Sequence, residues 1–304
     1  MNELINQDNR PESVLAPVLD ASPLVDRWLH VDSIDSTQAL ALERARTEAA
    51  GLAIVADQQT AGRGRMGRSW FSMPGLGLNL SLVIDPGRPE DEWPILTTLA
   101  ALAAKEAIRV AGKLDCRFKW PNDLFVPVVR RCHRTAPSDD QTTLSIPGFG
   151  RKICGILADV SSRSRLVVLG IGINISQSRD DFSDQLRPTA TSIFRETGQV
   201  IERADLLGAL LDALERRLID WRKNGLVALR KEMLEVMPLV GRSVTVVLEG
   251  EGIAKPQVTS GQVLEIGPLG ELILDGSGEP GSPERVTVSN GRLQRVDPPL
   301  VEER

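Results

Sequence analysis

The sequence predicts a mixed α/β domain followed by a small all-β domain. Over residues 27–237, apolar and often β-branched runs alternate with stretches of helical period. After Pro238 the helical period stops, and short alternating runs are separated by Gly and Pro. The 304 residues are enough for one large core and one small core. We therefore predict an α/β (α+β) fold, with a mixed-sheet domain over residues 27–237 and a small C-terminal β-barrel over residues 238–297.

Strands and helices of the first domain follow from these periods. Five apolar runs predict strands at 53–56, 78–84, 117–120, 153–160 and 166–175. Three stretches predict helices that cover the sheet, at 36–50, 94–111 and 204–235. In the last of these, leucines recur three and four residues apart, opposite a charged face. Asp35 is the expected N-cap of the first helix, with Gln38 three residues later.

Three segments lack a regular period. Residues 1–26 are polar and interrupted by proline, so we predict a flexible leader that is too short for a helix-turn-helix domain. Residues 127–150 are rich in Pro, Ser, Thr and charge, which predicts an exposed loop inserted between two neighbouring strands. Residues 298–304 are a polar tail. The β-barrel is predicted from the short runs at 243–248, 262–266, 272–274 and 284–288.

The composition argues against several classes of protein. The net charge of −5 and the pI near 5.3 give no overall basic surface, so we expect no nucleic-acid partner. The three cysteines and two histidines lack the paired spacing of a structural zinc site. No apolar run approaches the length of about 20 residues that spans a bilayer, and no secretory signal is present. We expect a cytoplasmic protein with no membrane partner.

The segment QTAGRGRMGRSW, residues 59–70, alternates glycines with arginines. Glycines let a backbone approach a ligand closely, and guanidinium groups pair with phosphate or carboxylate oxygens. The segment therefore predicts an anion-binding loop that contains Arg63, Gly64, Arg65 and Arg68. A solvated linker or a segment that contacts RNA is the alternative interpretation.

Two further motifs place polar groups beside strands. In KWPND, a strand is stopped by Pro121 and followed by Asn122 and Asp123, which predicts a reactive strand end; an ordinary turn is the alternative. In KICGIL, Lys152 begins an apolar strand and Gly155 leaves space beside it, so Lys152 is either a surface residue or a cation that points into a pocket.

A third apolar run carries two glycines at alternate positions. Gly170 and Gly172 leave one face of their strand bare, where a flat group or another backbone can pack. Asn174 follows on the same face and offers a polar contact at its edge.

Six motifs, in chain order, resemble the biotin protein ligase family. They are DSTQ (35–38), QTAGRGRMGRSW (59–70), KWPNDL (119–124), KICGIL (152–157), GIGINI (170–175) and ATSI (190–193). The resemblance continues through the following helix and the β-barrel, and so covers nearly all of the chain beyond the leader. It implies the family's mixed-sheet catalytic domain with a C-terminal barrel, of the monofunctional type that lacks an N-terminal DNA-binding domain.

The resemblance also implies an activity. Such an enzyme activates biotin with ATP to biotinyl-5′-AMP and transfers the biotin to a lysine of a biotin carrier domain, such as that of acetyl-CoA carboxylase. Mg²⁺ is expected on the ATP phosphates, with ligands that the sequence does not identify. A homodimer formed through a sheet edge is a further expectation.

Roles for individual residues follow from the same resemblance. On the biotin side it implies Ser36, Thr37, Gln38, Gln59, Arg63, Gly64, Arg65, Lys152 and Gly155. On the ATP side it implies Arg65, Arg68, Trp70, Asn122, Asp123 and Asn174. Lys152, Arg65 and Asp123 are the expected catalytic residues: the two cations neutralise developing charge, and Asp123 orients or deprotonates the acceptor amine.

Other interpretations stay open beside this one. Gln38 stands where the family more often has Asn, Met66 interrupts the arginine series, and the loop over residues 127–150 is unusually long. A lipoate or octanoate protein ligase shares the catalytic fold. A protein that binds biotin or nucleotide without catalysis is the alternative from another class.

Overall fold

Seven strands form the main sheet in this computed structural model, which describes residues 13–127, 150–248, 257–276 and 284–297. In chain order they are β1 (Arg27–Ile34), β2 (Leu52–Gln59), β3 (Gly77–Ile84), β4 (Arg117–Lys119), β5 (Asp123–Val126), β6 (Arg151–Val160) and β7 (Val167–Asn174). Their spatial order is β1-β2-β3-β7-β6-β5-β4. Only the β1–β2 pair among these neighbours is parallel, so the predicted mixed sheet is confirmed.

Helices cover one face of this sheet, in part by packing on one another, and form the main core. They are α1 (Ala16–Ala21), α3 (Ile95–Gly112), α4 (Ile193–Thr197), α5 (Arg203–Asn224) and α6 (Val227–Val236), while α2 (Thr37–Arg44) lies on the other face. The predicted leucine stripe of α5 is buried throughout. The single helix predicted over 204–235 is instead two helices, because Gly225, with φ +68°, ends α5.

The second face of the sheet is only partly covered. A small apolar cluster beneath α2 includes Ala41, Ile54 and Val168. Beyond that cluster, β3, β6 and β7 present Asn79, Gly155 and Gly172 to a pocket. The absence of Cβ atoms on the two glycines leaves room for a ring or a ligand on this face.

The prediction of a flexible leader over residues 1–26 is wrong for residues 13–26, which are part of the folded domain. Leu15 and Leu19 are fully buried in the main core, and the turns of α1 bring them onto one face. Ser13 Oγ lies 2.5 Å from His30 Nδ1 on β1, which ties the segment to the sheet. Residues 1–12 lie outside the described part of the chain.

A second sheet follows the α/β unit. It contains β8 (Ser243–Leu248), β9 (Gln257–Ile266), β10 (Leu272–Asp275), β11 (Arg285–Val288) and β12 (Arg292–Asp297), all antiparallel, in the order β11-β10-β9-β8-β12. The predicted β texture is confirmed. No pairing among the described residues joins β11 to β12, so closure into a barrel is not seen. The sheet contacts the first unit through Trp120, whose Nε1 donates to Gly270 O at 2.8 Å.

Several local predictions need correction. Ser36, and not Asp35, caps α2, since its side chain accepts from Ala39 N, and α2 ends at Arg44. Strands β1, β5 and β12 were not predicted. The insertion predicted over 127–150 lies mostly at 128–149, outside the described residues, but β5 and β6 on either side do pair. Within the described residues, no helix is long and apolar enough to cross a membrane.

Candidate active site

The glycine-arginine segment folds back on itself over the open face of the sheet. Trp70 N donates to Gly62 O at 2.8 Å, and Gly64 N donates to Arg68 O at 2.7 Å. A Cβ on Gly62 would lie 2.5 Å from Trp70 O, so this close backbone approach requires glycine. Met66, with φ +57°, makes the tight turn at the tip.

Trp70 lies flat on the bare face that the glycines leave. A Cβ on Gly172 would lie 2.5 Å from Trp70 Cε2, and a Cβ on Gly155 would lie 3.1 Å from Trp70 Cζ3. A flat group therefore packs on this face, as the alternate glycines predicted. The ring comes from the arginine loop and forms one wall of the pocket.

Lys152 and Asp123 form an ion pair at the mouth of the pocket. Lys152 Nζ lies 2.6 Å from Asp123 Oδ1, and the two side chains are 33% and 22% exposed. The same Nζ lies 5.6 Å from the centroid of the Trp70 ring. Lys152 is thus a cation directed into a pocket, which decides between the two interpretations of its position.

Arg65 connects the loop to both sheets. Its Nη1 donates to Asn122 Oδ1 at 3.2 Å, and its Nη2 donates to Asn290 Oδ1, in the turn before β12. Burial lowers the pKa of Arg65; Asp123 opposes that effect and Arg68 adds to it. Asn122 also donates from Nδ2 to Ile156 O at 2.7 Å, so its side chain is fixed to β6.

A wall of amides and hydroxyls closes the other side of the pocket. Gln59 Oε1 accepts from Thr37 N at 2.9 Å and from Thr37 Oγ1 at 3.1 Å. Gln59 Nε2 faces Asn79 Oδ1 at 3.4 Å. Thr37, Gln59 and Asn79 therefore form one continuous hydrogen-bonded wall beside the Trp70 ring.

Three comparisons with known proteins agree with one another. The model of the biotin/lipoate A/B protein ligase family matches residues 30–176. A biotin--[acetyl-CoA-carboxylase] ligase of Mycobacterium tuberculosis is 30% identical over 282 residues, which cover 87% of this chain and 92% of that relative. The chain belongs to the biotin/lipoate A/B protein ligase family.

Other members of the ligase family are similar over part of their length or in fold. The bifunctional ligase/repressor BirA of Bacillus spizizenii is 36% identical over 206 residues, which cover 66% of this chain and 57% of that relative. The chain thus matches little more than half the length of that relative. A biotin protein ligase from Aquifex aeolicus, solved in complex with biotin and ATP, shares the fold at 23% identity, with a TM-score of 0.67 over 88% of this chain and 97% of that one.

Most of the residues implied by resemblance to the biotin protein ligases line one pocket. They are Thr37, Gln59, Arg63, Gly64, Arg65, Arg68, Trp70, Asn122, Asp123, Lys152 and Gly155. Three others lie behind its wall. Ser36 caps α2. Gln38, only 3% exposed, donates to Asp159 Oδ2 at 2.9 Å, and Asn174 donates to Thr191 O at 2.8 Å.

The ligase-family motifs did not identify every polar group at the site. Asn79 lies on the pocket wall. It belongs to β3, a strand that is buried at every position and whose sequence predicts a core strand. Lys119 does not line the pocket but interacts electrostatically with Asp123, Lys152 and Arg68, which do; it is 8% exposed, and burial lowers its pKa to about 8 against the opposing effect of Asp123. Its position in KWPND was visible, but a side chain's direction at a strand end follows only from the sheet register. Asn290 comes from the second sheet, which no local motif connects to the loop.

Proposed function

We propose that this chain is a biotin protein ligase, which uses ATP to activate biotin and transfers it to a lysine of a biotin carrier domain. One observation carries the proposal: Lys152 Nζ stands between the Asp123 carboxylate and the Trp70 ring, at the mouth of a pocket with a glycine floor and an amide wall. A cation at that point suits a substrate with a flat polar head and a carboxylate at the far end of its chain. The relative of Mycobacterium tuberculosis named above, a biotin--[acetyl-CoA-carboxylase] ligase, supports this choice of substrate.

The first half-reaction needs two anions held together. The biotin carboxylate attacks the α-phosphorus of ATP, and pyrophosphate leaves. Arg65, Arg68 and Lys152 surround the pocket and neutralise the charge that develops on the phosphoryl oxygens. Folding of the arginine loop over the mixed anhydride shields it from water.

The second half-reaction brings an amine to the acyl carbon. The ε-amine of the acceptor lysine attacks the carbonyl, AMP leaves, and a proton must leave the nitrogen. Asp123 is 22% exposed at the mouth, where it can orient that ammonium and accept the proton. Lys152 remains beside the carbonyl oxygen and stabilises the negative charge that develops on it.

Magnesium would be bound together with the nucleotide. No cluster of three His, Cys, Asp or Glu side chains within the described ranges forms a metal site of its own. Asp123 is the one carboxylate among the described residues that line the pocket, which fits Mg²⁺ held mainly by phosphate oxygens and one carboxylate. The ion would neutralise phosphate charge there.

The partner and setting follow from this activity. The protein partner is a biotin carrier domain, and no nucleic acid is required. We place the reaction in the cytoplasm and include a homodimer in the proposal, because β1 is an edge strand of the main sheet among the described residues.

The test is a biotinylation assay on the purified protein with ATP, Mg²⁺ and a biotin carrier domain, read by the mass of the carrier. A biotin-sized gain that is lost in Lys152→Ala, but kept in Arg165→Ala, is the expected result. Arg165 is the matched control because it is an exposed cation, paired with Glu90, outside the pocket lining. A gain only when lipoate replaces biotin would overturn the substrate. No gain with either acid would overturn the enzymatic proposal in favour of binding alone.

A further inference from the structure

Asn79 is the centre of the hydrogen-bonded wall, although it is only 3% exposed. Its Oδ1 accepts from Trp70 Nε1 at 3.1 Å and from Gln59 Nε2 at 3.4 Å. Its Nδ2 donates to Ala56 O at 3.1 Å and to Ser72 Oγ at 3.0 Å. Two acceptances and two donations use the whole hydrogen-bonding capacity of the amide. Asn79 therefore offers nothing to a ligand and acts on its neighbours.

The orientation of the Asn79 amide is determined by its surroundings. Ala56 O can only accept, so the atom that faces it must be the Nδ2 donor. The indole Nε1 of Trp70 can only donate, so the atom that faces it must be the Oδ1 acceptor. A flipped amide would oppose donor to donor and acceptor to acceptor at once. This strand position thus fixes the direction in which the indole N–H points.

The plane of the Trp70 ring depends on the same contact. The ring occupies the space that a Cβ at position 155 or 172 would need, so it lies against the bare backbone there, and Asn79 holds its polar edge. The ring in turn lies 5.6 Å from Lys152 Nζ, within the range of a cation–π contact. Asn79, Trp70 and Lys152 therefore form a chain of contacts from the amide wall to the reacting end of the pocket.

We propose that Asn79 is a positioning residue of the site: it holds the Trp70 indole in the plane that places Lys152 against the substrate carboxylate. The proposal rests on the ligase function proposed above only for its catalytic consequence. A loose indole lets Nζ move away from the carboxylate, so the first half-reaction slows by about tenfold, the equivalent of about one hydrogen bond.

The experiment combines a spectroscopic and a kinetic measurement on Asn79→Ala. The chain has five tryptophans, so its ¹⁵N-labelled indole spectrum has five N–H signals, and Trp70→Phe assigns the signal of Trp70. Asn79→Ala is expected to shift that signal upfield and leave the other four in place. Asn174→Ala is the matched control, because it removes another buried asparagine from the same sheet face without contact to Trp70.

Pyrophosphate release with biotin and ATP supplies the kinetic measurement. We expect about a tenfold fall in kcat/KM for biotin in Asn79→Ala, and no further fall when Asn79→Ala is added to Trp70→Phe, which has no indole N–H to hold. If Asn79→Ala does not fold, Asn79→Ser takes its place, measured both alone and together with Trp70→Phe, and the same non-additive result is expected.

The outcomes separate the two proposals. An unmoved Trp70 signal, or equal and additive losses in the double variant, would overturn the positioning role even in an active ligase. A shifted Trp70 signal in a protein that is inactive with biotin before any substitution would overturn the ligase function and leave the Asn79–Trp70 contact standing. A shifted signal with unchanged kcat/KM would overturn the link from Asn79 to catalysis.

Discussion

Lys152 Nζ lies 2.6 Å from Asp123 Oδ1, across two neighbouring strands of the main sheet. The carboxylate neutralises the lysine before any ligand binds. In the proposed ligase reaction, an incoming substrate carboxylate competes with Asp123 for the same cation. We therefore expect Asp123 to oppose the binding of the acid and to act in the later step, when the acceptor amine arrives.

Asp123→Asn should separate these two effects. The amide no longer neutralises Lys152, so KM for biotin is expected to stay the same or fall. Transfer from preformed biotinyl-AMP to the carrier should slow by about 100-fold, because a general base and orienting anion is lost. Single-turnover transfer and pyrophosphate release measure the two steps separately. Lys152→Met is the comparison and should slow both pyrophosphate release and transfer. If Asp123→Asn slowed the two steps equally, Asp123 would not act separately in binding and in transfer.

Gly172→Ala tests whether the packing of the Trp70 ring on the bare backbone at position 172 supports biotin binding. The added Cβ would lie 2.5 Å from Trp70 Cε2, so the ring must move away from the sheet. We expect biotin affinity to fall by at least about tenfold, which isothermal titration would measure. Gly208→Ala is the matched control: in α5 its Cβ would meet only Val18 Cγ1 at 3.6 Å, and the change should be neutral or stabilise the helix by about 0.5–1 kcal/mol. An unchanged biotin affinity in Gly172→Ala would show that biotin binding does not need Trp70 to lie against position 172.

The site was predictable from sequence where the backbone itself carries the signal. Glycine at positions 170 and 172 predicted a bare face, and Gly155 predicted space beside Lys152; Trp70 packs against Gly172 and Gly155. Asn79 was not predictable, because one polar residue in an apolar strand is ordinary until the sheet register places it beside the Trp70 ring. Asn174 was predicted as a ligand contact on the same logic, yet its nearest partner is a backbone carbonyl of the chain.

Helix α1, within the predicted leader, is an element that the sequence did not predict. Helix α1 has only six residues, too few for a hydrophobic period to stand out from a proline-interrupted background. Its burial comes from tertiary contacts with α5 and with β1, which no local pattern contains. The shortness of α1 is the main reason that its helical period could not be recognised in the sequence.

Leu19→Ala tests whether α1 belongs to the fold. Leu19 is fully buried, whereas Val14 is 67% exposed five residues earlier. Leu19→Ala should lower the free energy of unfolding by about 2–4 kcal/mol, and Val14→Ala should change it by less than about 0.5 kcal/mol. Urea denaturation followed by circular dichroism measures both. Equal, small effects would restore the flexible leader.

Lys119 should make nucleotide binding depend on pH. It is 8% exposed, and burial lowers its pKa from 10.5 to about 8; Asp123 opposes this change, whereas Lys152, Arg292 and Arg68 add to it. Below about pH 8 the amine is charged and adds to the cations that attract phosphate. As pH rises through 8 the charge is lost, so the affinity for ATP is expected to fall, by up to about tenfold per pH unit, until the pKa of the complex is reached.

Two controls make this dependence specific to Lys119. In Lys119→Met, ATP should bind more weakly at pH 7, and its Kd should converge with that of the unchanged protein near pH 9.5. Lys223→Met, at an exposed position of α5, should keep the full pH dependence. Stability of the free protein must move in the opposite sense. The folded pKa lies below the unfolded one, so the unfolded chain holds more protons between about pH 8 and 10.5, and the free energy of unfolding rises across that range. A Kd for ATP that stays constant from pH 7 to 9.5 would place Lys119 outside the nucleotide's reach.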